Sequence, residues 1–193
     1  MLNMAVLLSG SGRTLDNFHE RIVAGTLAGR IQVVVSNVSS ALGLKKARDY
    51  GYPAFHAVGS PATNDILNNF GVDIICLAGY LRLYDPPPAL ARSVINIHPS
   101  LIPSFCGDGF YGSRVHRAVK ERGCTVTGCT VHFADELYDQ GPIILQKSVN
   151  IEYEDSTDEI AAKVFAAECE AFPEAINRVD QKGIDFFWGR VQR

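Results

Sequence analysis

Asn96 and His98 stand two residues apart in the run Asn-Ile-His-Pro-Ser-Leu-Ile-Pro, residues 96–103. In an extended strand that spacing points both side chains to one face. An amide donor beside an imidazole suits acyl transfer to an amine. As the amine attacks a carbonyl carbon, negative charge grows on the oxygen. Asn96 Nδ2 can donate to that oxygen, and a protonated His98 can stabilise it and then pass a proton on. An imidazole works near neutral pH, but a carboxylate must stand beside it to keep it charged inside a cleft. Asp135, Glu136 and Asp139, all in one loop of the second half, are the carboxylates on offer.

No covalent nucleophile stands out. Ser9 and Ser11 lie in a glycine loop but lack the Gly-x-Ser-x-Gly elbow. Direct transfer between two bound substrates is therefore expected. His98, His116 and His132 are not spaced as metal ligands, so no metal is expected. The five cysteines, Cys76, Cys106, Cys124, Cys129 and Cys169, contain no Cys-x-x-Cys pair and read as free thiols.

The glycine loop is the second constellation. Ser9-Gly10-Ser11-Gly12-Arg13-Thr14 follows a strand and opens a helix. Free N–H groups and the helix dipole favour an anion there. No Gly-Lys-Ser/Thr follows, so the nucleoside-triphosphate pattern is missing. Leu15 occupies the place of the third dinucleotide-loop glycine, and Ser36-Asn37 ends the next strand without an acid for a ribose hydroxyl. A single phosphate fits better than a dinucleotide.

Positioning these groups requires a framework. Ala5–Leu8, Ile31–Val35, Ala54–Val58, Ile74–Ala78 and Val94–His98 read as strands, with Ala54–Val58 at an edge and Ile74–Ala78 central and covered on both faces. Leu15–Ala24 and Leu44–Tyr50 read as helices between them. This alternation predicts an α/β fold, a Rossmann-like, mostly parallel twisted sheet with helices on both faces. Ligands of such sheets sit beyond the carboxyl ends of the strands, where Asn96 and His98 fall. Ser113–Arg122 then predicts a helix, Thr125–Phe133 and Pro142–Val149 two strands. A long helix is expected from about Asp158, kinked or divided at Pro173.

The 193 residues suit one domain, 1–193. They are 47% hydrophobic and 20% charged with net charge −3, which gives no basic surface for nucleic acid. No apolar run is long enough to span a bilayer, and the N-terminus lacks a basic leader, so a cytoplasmic protein with small-molecule partners is expected.

Five segments carry a family resemblance: Leu-Leu-Ser-Gly-Ser-Gly-Arg-Thr-Leu at 7–15, Ile-Cys-Leu-Ala-Gly-Tyr-Leu-Arg-Leu at 75–83, Ile-Asn-Ile-His-Pro-Ser-Leu-Ile-Pro at 95–103, Val-Thr-Gly-Cys-Thr-Val-His-Phe at 126–133, and Tyr-Asp-Gln-Gly-Pro-Ile-Ile-Leu-Gln at 138–146. With these, residues 3 to 180 resemble the glycinamide ribonucleotide formyltransferases, a family of folate-dependent formyl transferases. The resemblance implies formyl transfer from 10-formyltetrahydrofolate to the amine of glycinamide ribonucleotide, a step of purine synthesis, by a monomer or homodimer. It implies Asn96, His98 and Asp139 as catalytic residues, with Asp139 the carboxylate rather than Asp135. By the same resemblance Gly12, Arg13, Thr14 and Glu168 bind the ribonucleotide, and Leu81, Arg82, Leu83 and Tyr84 line the folate pocket. His132 matches a common family histidine and is read as structural. Other folate formyltransferases, formyltetrahydrofolate hydrolases and a non-catalytic paralogue are the rival readings.

Three departures stand out. Arg13 replaces a small polar residue and adds charge against a phosphate. The stretch 59–70 is short and lacks the family's basic residue. The run Phe105–Gly112 is long and glycine-rich, a flap or simply an extended loop.

Overall fold

The computed structural model describes residues 1–191, so the last two residues of the expected 1–193 domain lie outside it. The chain forms two compact units, Met1–Asn96 and Ile97–Arg193.

The first unit is built on alternating strands and helices: β1 (Leu2–Leu8), α1 (Arg13–Val23), β2 (Gly29–Ser36), α2 (Leu42–Asp49), β3 (Ala54–His56), α3 (Ser60–Leu67), β4 (Ile74–Leu77) and β5 (Val94–His98), whose last two residues begin the second unit. The strands run in the order β3-β2-β1-β4-β5, each pair parallel. Met4 to Leu8 of β1, Val33 to Val35 of β2 and Ile74 to Cys76 of β4 are wholly buried. Their unbroken apolar runs follow from cover on both faces, and each large side chain contributes roughly 1.5–3 kcal/mol by leaving water. β3 pairs only with β2 and ends the row, as its short sequence predicts.

The second unit holds α4 (Ser113–Glu121), the antiparallel pair β6 (Val126–Phe133) and β7 (Ile143–Asn150), then α5 (Thr157–Lys182) and α6 (Ile184–Trp188). Helix α5 packs on both strands. Its first turn is a capping box: Ser156 Oγ accepts from the Glu159 N–H and Glu159 reaches back to the Ser156 N–H. The seven strands form a mostly parallel α/β sheet, the expected fold class.

At two places the structure corrects or adds to expectation. Of the kink or division expected at Pro173, division does not occur: helix α5 runs from Thr157 to Lys182 with Pro173 buried inside it. Packing of the apolar face, with Val164, Phe172 and Ile176 fully buried, outweighs the lost donor. The stretch 59–70, read as shorter than the family's helix before the central strand, forms the eight-residue helix α3 with Pro61 in its first turn.

Candidate active site

Strand β5 carries Asn96 and His98 two residues apart, and Pro99 follows where the strand ends. Asn96 is half-buried, whereas His98 is 4% exposed. His98 Nε2 donates to the Phe105 carbonyl at 2.9 Å, and Nδ1 lies 3.5 Å from Asp139 Oδ2. The structure thus brings together the imidazole and the carboxylate that the motif resemblance paired, from opposite ends of a long segment. Asp135 instead caps the Leu137 N–H in its own loop, and Glu136 is exposed.

Asp139 is placed by the turn between β6 and β7. The turn closes through the Phe133 N–H, which donates to the Pro142 carbonyl at 2.9 Å. Gly141 lies so close to Phe133 that a Cβ on it would stand 1.8 Å from that residue's carbonyl oxygen. No other residue fits there, which gives the Asp-Gln-Gly-Pro run its physical reason. Asp139 has φ 58, a left-handed conformation that aspartate tolerates better than most side chains.

The carboxylate has three partners. Oδ2 accepts from the Gly107 N–H at 2.9 Å and faces His98, while Oδ1 faces His132 Nε2 at 3.5 Å. His132 is 1% exposed, and its Nδ1 donates to the Phe133 carbonyl at 2.9 Å. The sequence reading gave His132 a structural role. The structure sets it against the second oxygen of the carboxylate. A register shift of β6 falls at Val131/His132, and nothing in the residue types announces that shift.

Burial alone would raise the Asp139 carboxyl, but the His132 bond, the His98 charge and the Gly107 N–H overcome it and hold the carboxyl below its ordinary range. Burial pushes the His98 imidazole below its usual value, against the upward pull of Asp139 and of the Phe105 carbonyl. Negative charge arriving at His98 would reverse that balance and draw a proton onto the ring. A second buried imidazole, His116 on α4, is also pushed down by burial and by the charge on His98. The long Phe105–Gly112 run joins this cluster at its near end, through the Phe105 carbonyl and the Gly107 N–H.

The glycine loop lies in the first unit. Gly12, at φ 74, is the N-cap of α1, and a Cβ there would stand 2.7 Å from Gly43 Cα. Two glycines back to back therefore let α2 close on the loop, where the Gly43 N–H donates to the Gly10 carbonyl at 3.1 Å. Arg13 is exposed and Thr14 half-buried in the first turn of α1. Nearby, Lys46 pairs with Asp16 at 2.5 Å, so the helix-start carboxylate is neutralised. Ser9 joins this loop to the predicted folate segment: its Oγ accepts from the Leu81 N–H at 2.9 Å and donates to Asn37 at 2.7 Å. Leu81, Arg82 and Leu83 are exposed. Tyr84 is turned inward, its hydroxyl donating to Asn64 of α3 at 2.6 Å. Helix α3 holds this segment at a second point, since Ser60 Oγ accepts from the Asp85 N–H. Glu168, on α5 in the second unit, is half-buried beside Cys129. Among the described residues no group of three or more His, Cys, Asp and Glu side chains is arranged to hold a metal ion.

Comparison with known proteins agrees with the motifs. A formyl transferase family profile matches residues 2–176. The chain is 38% identical over 192 residues to a chloroplastic phosphoribosylglycinamide formyltransferase of Vigna unguiculata, covering 94% of this chain and 62% of that protein. It therefore spans less than two thirds of that plant relative. It is 34% identical to the phosphoribosylglycinamide formyltransferase of Haemophilus influenzae, covering 90% of this chain and 84% of the other. The crystal structure of glycinamide ribonucleotide transformylase 1 from Symbiobacterium toebii superposes with a TM-score of 0.85 at 37% identity, covering 95% of this chain and 89% of that one.

Proposed function

This chain belongs to the formyl transferase family, and from that premise we propose that it is a phosphoribosylglycinamide formyltransferase of purine biosynthesis. The observation that carries the reading is the buried His98–Asp139 pair on a strand-end Asn-x-His-Pro motif, in a chain similar to enzymes of that name. The formyl donor is 10-formyltetrahydrofolate and the acceptor is the amine of glycinamide ribonucleotide. The family profile crosses both units without interruption, which supports one formyltransferase domain.

The amine nitrogen attacks the formyl carbon. A new C–N bond forms, and charge collects on the formyl oxygen. Asn96 donates to that oxygen. His98 takes its charged form as the oxygen becomes negative, because Asp139 supplies the opposite charge. The bond from the formyl carbon to N10 of the folate then breaks. The proton lost by the attacking amine is returned to N10, with His98 and Asp139 as its carriers. Holding the two reactants side by side supplies much of the acceleration. Gly12, Arg13 and Thr14 bind the ribonucleotide phosphate, and Glu168 contacts the same substrate. Leu81, Arg82, Leu83 and Tyr84 form the folate segment. The enzyme works in the cytoplasm as a monomer or homodimer. No described helix is long and apolar enough to cross a membrane.

A panel of acceptors tests the assignment. With 10-formyltetrahydrofolate as donor, glycinamide ribonucleotide should be formylated far faster than an amino sugar nucleotide or an aminoacyl ester. Formate release without any acceptor would instead identify a hydrolase.

A further inference from the structure

Ser100 follows the His-Pro pair and is 1% exposed. Its hydroxyl donates to the Ser104 carbonyl at 2.6 Å and lies 3.4 Å from the Phe105 carbonyl. That same Phe105 carbonyl receives His98 Nε2 at 2.9 Å. One hydroxyl, two residues beyond the imidazole, therefore closes the turn whose next carbonyl holds the imidazole. The turn needs holding, because Phe105 sits at φ 50, a left-handed conformation unfavourable for a bulky side chain. Ser100 is itself anchored. Thr130 Oγ1 on β6 donates to the Ser100 carbonyl at 2.7 Å and accepts from the Ile102 N–H at 3.0 Å. Gln146 on β7 donates to the Ile102 carbonyl at 2.9 Å. These are the two strands whose connecting turn carries Asp139.

We propose that Ser100 is a positioning residue for His98: its hydroxyl pins the Ser104–Phe105 turn so that the Phe105 carbonyl fixes Nε2 and leaves Nδ1 facing Asp139. The catalytic consequence rests on the role given to His98 above, whereas the positioning itself does not. A carbonyl accepting from Nε2 favours the protonated ring, against burial. The other groups acting on this cluster are Asp139 from the β6–β7 turn, His132 from β6 and His116 from α4. Cys106, on the loop itself, is in turn pushed up by burial and by the Asp139 charge. Asp139, His132 and His116 sit outside the turn that Ser100 closes. The Gly107 N–H, two residues beyond Phe105, holds Asp139 Oδ2, so a change at Ser100 reports the turn through the Phe105 carbonyl and the Gly107 N–H together.

The test follows the His98 ring by NMR titration in the full-length, ligand-free protein. Ser100→Ala should lower its pKa by about half a unit to one unit, and Ser100→Thr, which keeps the hydroxyl, should restore it. Turnover at neutral pH should fall by about 3–10-fold in the alanine variant, in step with the protonated fraction, with both KM values unchanged. Ser100→Cys, similar in volume but a weak donor, replaces the alanine variant if that protein does not fold, with the same direction expected. A His98 titration in the folded variant identical to wild type overturns the proposal, as does a shift that threonine leaves in place. A wild-type protein that forms no formylated product would refute the enzymatic assignment and still leave the titration to decide the role of Ser100.

Discussion

His98 and Asp139 face each other, and each is held by backbone as well. The carboxylate is kept ionised by two imidazoles and one N–H, and the imidazole is kept available for a proton by the carboxylate and one carbonyl. Replacing Asn96, His98 or Asp139 by alanine should each cut turnover by at least ~100-fold in a folded protein. Near-wild-type turnover in any one of them would remove that residue from the mechanism. His132 belongs on the same ledger at a lower level. His132→Ala removes the partner of Asp139 Oδ1, so the carboxyl should become harder to ionise and turnover should fall by roughly 10-fold. A loss as large as that of Asp139→Ala would instead place His132 on the substrate. The sequence made the Asn-x-His spacing legible, because strand alternation is enough to read it. Asp139 was legible only through the family motif, since three carboxylates in that loop were equal candidates on chemistry alone. The Phe105 carbonyl and the Gly107 N–H were not legible at all. Backbone groups carry no residue signature, and their aim depends on left-handed turns that form only in the folded chain.

The elements matter through the turns that end them. The β6–β7 turn delivers Asp139 only because Gly141 lies against the Phe133 carbonyl. Gly141→Ala forces that turn open. It should destabilise the protein by about 1–3 kcal/mol, as overpacking does, and lower turnover more than it changes either KM. Urea unfolding and steady-state kinetics check both halves. Full activity in a folded Gly141→Ala protein would mean that the turn does not hold Asp139 in place for the reaction. The parallel strands and their helices were readable from apolar runs and turn residues. Helix α3 was legible only through the family resemblance, because Ser-Pro-Ala-Thr-Asn-Asp-Ile-Leu has no clear apolar stripe; Thr63 and Leu67 are its buried residues. The unbroken α5 differs for the opposite reason. Local preference at Pro173 predicts a kink or a break, and burial of the surrounding apolar face prevents the break.

At the scale of the molecule, the His98 and His116 imidazoles set the response to mild acid. His98 and His116 bind protons less readily folded than unfolded. The unfolded chain therefore takes up protons first as pH falls through the ordinary imidazole value of 6.5, and stability drops from there. Asp139 acts lower on the scale. Its carboxyl is held down in the fold, so its contribution is intact above the ordinary carboxylate range and is lost as pH falls through its folded value. Urea midpoints should thus be flat from pH 8 to 7 and decline below about pH 6.5. A midpoint that stays constant down to pH 5 would contradict buried, weakly basic rings. The proposed acceptor rests on resemblance alone, because a glycine loop at a helix start favours an anion and does not specify the amine attached to it. The most direct measurement follows a labelled formyl carbon from 10-formyltetrahydrofolate in the presence of glycinamide ribonucleotide. The account predicts that the label appears on the glycinamide nitrogen in equal amount to the tetrahydrofolate released. Label found only as formate, or left on the folate, would contradict it.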